Sequence, residues 1–168
     1  MSDRISFVQS DVCDSGLPSA SADFVWGEDA WCYVIDKRRL VEEAARIVRP
    51  GDTIAFTDWI AGSVDMGRDE AERFLRFMKF PHILDLDGYT QGLEAVGCRV
   101  EVSEDTGRFA PYTDLYLNML TMRLTYDALK KIGFDTDLMQ ALGAEMSFIQ
   151  QLAHEGKVAQ GRFVARLP

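Results

Sequence analysis

The stretch "DFVWGEDAWCYVIDKRRLVEEAARIVRPGDTIAFTDW", residues 23–59, constrains the fold more than any other part of the chain. It reads as strand, loop, helix, tight turn, strand. "DFVWG" (23–27) is a short apolar run stopped by Gly27. "DKRRLVEEAARIV" (36–48) places Leu40, Val41, Ala44, Ala45, Ile47 and Val48 on one face at helical period. Asp36 suits the N-cap, Arg46 and Arg49 suit the negative end, and Pro50-Gly51 terminates the helix. "TIAFTDW" (53–59) is apolar enough to be covered on both faces, as strands of parallel sheets are. A right-handed crossover through the helix then joins 23–27 to 53–59. The fold class is α/β with a mostly parallel sheet.

The flanking segments extend this pattern. "RISFVQSD" (4–11) predicts a short buried strand ending on an acid, and "SGLPSASA" (15–22) a loop. Helices are expected over 69–80, ended by Pro81, and over 87–97, with Asp87 as N-cap and Gly97 as a left-handed stop. "CRVEVSED" (98–105) alternates as a strand does. Two longer helical stretches cover about 113–131 and 135–155; in the second, Leu138, Leu142, Met146, Ile149 and Leu152 form one stripe. "GRFVARLP" (161–168) is a closing strand with no room for a crossover, so it runs antiparallel. No linker divides the chain, and 1–168 reads as one domain.

Composition narrows the function. The chain has 168 residues, 47% of them hydrophobic, and a formal net charge of -9. Such a surface repels phosphate backbones, which argues against nucleic acid as a partner. No apolar run reaches the roughly 18 residues of a membrane span, and "MSDRISFVQSD" has no signal-peptide pattern; the expected location is cytoplasmic. Cys13, Cys32 and Cys98 lack CxxC spacing and read as reduced thiols. His82 and His154 stand far apart, so no histidine metal cluster is expected.

In open α/β sheets ligands sit at the carboxyl ends of the strands. Three such ends carry acids here: Asp11, Glu28-Asp29 and Asp58. A carboxylate at Asp11 with the Val12 amide could read an adenine edge. Glu28-Asp29 could hold an ammonium or a hydroxyl. Trp31, Tyr33 and Trp59 could form an aromatic wall for a methylated ammonium, with core packing as the alternative for Trp31. Tyr33 could stack, donate, or act as acid or base. His82 follows "KFP" in a segment that could lie over the strand ends. Phosphate-loop patterns (GxGxxG, GxxxxGK[ST]) and a GxSxG elbow are absent.

The order of these pieces resembles the class I S-adenosylmethionine-dependent methyltransferases. The run 8–59 is similar to that family from its third to its fifth sheet strand, with "LP…ADFVW" and "EAARIVRPGDTIAFTDW" the most specific parts. Within the family it most resembles the sarcosine/dimethylglycine and phosphoethanolamine enzymes, whose "QDA" or "RDA" box reads "EDA" (28–30) here. The resemblance implies Asp11, Val12 and Glu28 at the cofactor, Asp29 and Tyr33 as catalytic positions, and Asp29, Trp59 and His82 facing the substrate. Tyr33 stands where the phosphobase enzymes have a catalytic His, which suits an acceptor that needs no deprotonation, such as a tertiary amine.

The family's sheet order is 3-2-1-4-5-7-6. Its glycine-rich loop after the first strand, and the acid ending the second, have no counterpart in this sequence. The expected architecture is therefore a partial Rossmann-like methyltransferase fold lacking strands 1 and 2. It corresponds to the C-terminal part of the domain, with weak S-adenosylmethionine binding and little activity in isolation. Residues 5–10 then lose their neighbours, and 23–27 becomes an exposed sheet edge, which predicts a homodimer through that edge. The rival readings are a non-catalytic module paired with a partner that supplies the missing strands, and another Rossmann-like enzyme such as a nucleotide-binding reductase.

Overall fold

A computed structural model describes residues 4–122 and 125–168. The elements in chain order are β1 (Ala22–Glu28), α1 (Lys37–Ile47), β2 (Val48–Ala61), α2 (Arg68–Met78), α3 (Leu86–Ala95), β3 (Arg99–Asp105), α4 (Phe109–Met122), α5 (Thr125–Lys131), α6 (Thr136–His154) and β4 (Val158–Arg166). The strands form one sheet in the order β1-β2-β4-β3. β1 and β2 are parallel. β4 lies between β2 and β3 and is antiparallel to both.

Two clusters organise the core. On one face, Leu40, Val41 and Ala44 of α1 pack with Ile54, Phe56 and Ile60 of β2 and with Tyr89 and Leu93 of α3. Phe56 is the centre of this cluster: its ring stacks on Trp31 at 3.8 Å and on Phe163 at 4.6 Å, and Tyr89 meets it edge-on at 5.1 Å. The second cluster gathers Phe74, Phe80, Phe109, Ile149, Leu152 and Val158. It sits at the carboxyl end of β2, where Val158 opens β4 opposite Ala61. Asp36 caps α1 as expected, its carboxylate accepting from the Arg39 amide at 2.9 Å. Glu43 ties the loop before β1 to α1 by accepting from Arg46 and from Ser15. Those two partners hold its carboxyl down at about 2.

Several expectations are corrected. Residues 4–11 form no strand; they carry an isolated bridge between Asp11 and Asp14, and Ile5, Phe7 and Val8 are exposed. A six-residue apolar segment becomes a strand only where a neighbour pairs with it, and none does here among the described residues. Gly27 does not stop β1, which runs on to Glu28. Gly27 is instead a point of close approach, because a Cβ there would come within 2.5 Å of Trp31 Nε1. Pro50-Gly51 does not follow the helix as a separate turn. Val48 is already in β2, and the pair lies in a bulge where the register jumps from Ala22–Val48 to Phe24–Thr53. Asp85, not Asp87, caps α3, accepting from the Gly88 amide at 2.7 Å. The helical stretch expected over 113–131 is described as α4 and α5, helical on both sides of residues 123 and 124, which lie outside the described residues. β4 starts at Val158, three residues before the expected 161.

β1 is an edge strand. Val25 packs on the first cluster. Phe24 and Trp26 alternate with it on the opposite face, 51% and 62% exposed, their rings stacked 6.0 Å apart.

Candidate active site

β1 delivers Asp29 to the carboxyl end of the sheet. Its backbone turns there into the left-handed region (φ 46°), a conformation that side-chain-bearing residues adopt at a cost and that Asp tolerates better than most. Two contacts hold it. The Asp29 amide donates to the Thr57 carbonyl at 2.9 Å, and the carboxylate accepts from Gln160 Nε2 at 2.7 and 3.0 Å. Gln160 lies directly across the β2–β4 ladder from Trp59. Asp29, Thr57, Trp59 and Gln160 therefore converge from three strands. The Thr57 hydroxyl is buried and without a hydrogen-bond partner among the described residues.

Aromatic rings stand beside this acid. Trp59 packs against Phe109 at 4.6 Å, Phe80 at 5.5 Å and Phe74 at 6.1 Å. Tyr33 meets Phe80 edge-on at 4.9 Å and is exposed. Of the three candidate rings Trp31 takes the core alternative, buried in the Phe56 cluster. Phe80 takes its place between Tyr33 and Trp59.

Asp58 also departs from expectation. Strand alternation sends Thr57 and Trp59 to one face and Phe56, Asp58 and Ile60 to the other. Asp58 is fully buried, accepting from the Cys32 amide at 3.0 Å and from the Tyr89 hydroxyl. Burial pushes its carboxyl up, against the opposing pull of Tyr89, Cys32 and Lys37, and burial likewise pushes the Tyr89 hydroxyl up. Asp58 is no ligand-facing acid. It fastens the single turn Trp31–Tyr33 to the sheet and so fixes where Tyr33 stands.

Lys37 works on the same turn from α1. Its buried Nζ donates to the carbonyls of Val34 at 2.5 Å, Cys32 at 3.3 Å and His82 at 3.5 Å. The loop carrying His82 is thereby drawn against the turn that carries Tyr33. His82 is half-buried, and burial together with Lys37 lowers its pKa, favouring the neutral imidazole.

Asp11 and Val12 lie beside the start of α1, where the Cys13 thiol reaches the Asp36 carbonyl and Arg39 donates to the Cys13 carbonyl. Asp11 Oδ1 accepts from the Cys13 amide at 2.9 Å, closing its own turn. Val12 lines a cleft of about 340 Å³ with Val25, Trp26 and Trp31. Glu28 is exposed at the end of β1. Among the described residues no group of acids, His and Cys is placed to hold a metal, and no helix is long and apolar enough to cross a membrane.

Gln160, Thr57 and Phe80 were not singled out by sequence. Gln160 had a readable signal, as a polar residue between Ala159 and Gly161 in an apolar run, but its partner is 131 positions away.

The mixed α/β sheet matches the folds of solved methyltransferases. Residues 1–56 match the methyltransferase domain family. Over 109 residues the chain is 29% identical to 27-O-demethylrifamycin SV methyltransferase of Amycolatopsis mediterranei, covering 64% of this chain and 40% of that one. Over 90 residues it is 33% identical to dimethylglycine N-methyltransferase of Parasynechococcus marenigrum, covering 53% and 31%. A structure assigned as a sarcosine dimethylglycine methyltransferase of Galdieria sulphuraria superposes with a TM-score of 0.80 at 16% identity, covering 94% of this chain and 57% of that one. Phosphoethanolamine N-methyltransferase 2 of Haemonchus contortus, bound to phosphomonomethylethanolamine and S-adenosylhomocysteine, superposes with a TM-score of 0.82 at 17% identity, covering 94% and 36%. The chain is thus similar in sequence to methyltransferases, its residues 1–56 matching their domain family, and it shares the fold of S-adenosylmethionine-dependent members. It spans less than half the length of these curated relatives.

Proposed function

We propose that the protein acts in the transfer of a methyl group from S-adenosylmethionine to a small-molecule amine, and that this chain supplies the acceptor side of the site. The observation that carries the reading is Asp29, held out of ordinary backbone geometry and braced by Gln160 beside Trp59. Such strain, kept in place by a surrounding network, is characteristic of functional positions. The Asp29 carboxylate would orient an ammonium or a methylated nitrogen, while the faces of Trp59 and Tyr33 favour its partial positive charge. The second cluster would keep water from the reacting nitrogen. S-adenosylmethionine, when bound, supplies an electrophilic methyl group. A tertiary amine bound in its neutral form would attack with its own lone pair as the sulfonium S–C bond breaks, and that step releases no proton, so Tyr33 positions rather than deprotonates. Similarity to an enzyme named for dimethylglycine supports the amine class. Titration with dimethylglycine is expected to change tryptophan emission saturably, and Asp29→Asn to abolish the change. An unaltered response in Asp29→Asn would refute the assignment.

A second reading rests on the open edge of β1: an interaction module that pairs with a further polypeptide strand, in the simplest case a second copy. The edge carries no Lys or Pro to guard it. In antiparallel pairing about Val25, Phe24 of one copy faces Trp26 of the other. Sedimentation analysis is expected to show a dimer that Trp26→Lys converts to monomer. A concentration-independent monomer in the unsubstituted chain excludes self-pairing.

A further inference from the structure

We propose that the half-open cavity between α2, α4, α5 and α6 is a binding site for a small molecule with an apolar body and an anionic end. The cavity measures about 990 Å³, at the upper end of what drug-sized ligands fill. Its walls are apolar: Phe77 from α2, Leu117 and Leu120 from α4, Leu142 and Met146 from α6, and Ile132 beyond α5. Phe77 and Met146 also pack on the cluster that holds Trp59, so the cavity backs onto the wall of the candidate active site.

A second observation comes from α6. Gly143 lies inside this 19-residue helix, where glycine weakens the helix through its backbone freedom. Packing does not require it, because a Cβ at this position would meet nothing within 4 Å. Gly143 lines the cavity, and the glycine keeps that wall clear. The third observation is charge. Among the described residues the lining carries Lys130 and Lys131 from the last turn of α5 against one acid, Asp127, on a chain whose net charge is -9. A local excess of cations beside an apolar cavity complements a ligand with an anionic end, and an uncharged hydrocarbon would gain nothing from it.

This site is independent of the methyl-transfer reading, and its test involves neither S-adenosylmethionine nor an amine. The probes are cis-parinaric acid and its methyl ester, whose emission rises in apolar surroundings. The acid is expected to bind saturably with one site per chain. Gly143→Phe, which fills the cavity while improving helix propensity, is expected to weaken binding of both probes by about tenfold or more, with helical circular dichroism retained. Lys130→Gln combined with Lys131→Gln is expected to weaken the acid by about fivefold, as exposed charge pairs do, and to leave the ester unchanged. Absence of saturable binding overturns the proposal. So does undiminished binding to Gly143→Phe, which would place the probe elsewhere, for example on the Phe24–Trp26 face. Equal loss of acid and ester in the lysine variant overturns the anionic end.

Discussion

Replacing Asp58 by alanine is expected to lower the unfolding free energy by about 3 kcal/mol, because two buried donors lose their acceptor at once. Those donors are the Cys32 amide and the Tyr89 hydroxyl, neither of which has water to turn to. Asp58→Asn keeps one acceptor oxygen and is expected to cost about half as much. The pH dependence separates the carboxyl's own contribution. Burial holds its folded pKa above the ordinary 3.8, so the folded chain binds that proton more tightly than the unfolded chain does. The stability this group contributes is fully present below 3.8 and declines as pH rises through the folded value. The gap between the unsubstituted chain and Asp58→Asn should therefore be widest in acid and narrow towards neutrality. Urea unfolding across that range measures it. A gap that widens with rising pH would mean that the ionised form is the stabilised one.

A comparable loss, about 3 kcal/mol at the top of the overpacking range, is expected for Gly62→Ala. Gly62 follows the last residue of β2 and donates to the Lys157 carbonyl at 3.0 Å. A Cβ there would sit 2.0 Å from the Gly156 carbonyl oxygen and 2.7 Å from its carbon. Both atoms are backbone, so no side chain can swing aside. The end of β2 must part from the turn that leads into β4, and Lys157, which joins Glu70 to Glu155 in that turn, moves with it. Gly97→Ala is the control. Gly97 has φ 86° and open space around its Cβ, so its cost of about 1 kcal/mol arises from backbone conformation alone. Thermal unfolding of the two variants should rank them clearly; equal shifts would show that contact at Gly62 is relieved without cost.

The crossover unit was legible because its signals are local. The apolar face of α1, its Asp36 cap and the apolar run of β2 each announce themselves within a dozen residues. The segment 4–11 was illegible for the opposite reason, since its pattern suits a strand but pairing depends on a neighbour. Asp85 and Asp87 flank the start of α3 alike, and backbone geometry alone chooses between them. Asp29 follows the last residue of β1 and Trp59 lies near the end of β2, as the chain order suggested. Asp58 was misjudged although the alternation from Phe56 to Ile60 already assigned it to the core face. Trp31 was placed by the need to cover Phe56 above a glycine, a requirement visible only in three dimensions.

The position of β4 has a consequence for how the molecule comes into being. The last strand of the chain is an inner strand of the sheet, and it alone joins the β1–β2 pair to β3. Its pairings close long loops before they return any contact energy, a slow kind of assembly. Gln160, which braces Asp29, belongs to that strand. On a ribosome the crossover unit can form early, yet the candidate site has no brace until residues 158–166 emerge and insert. The Asp29–Gln160 contact is thus made only once β4 has paired, and a chain stopped ten residues short would lose the join between the two halves of its sheet.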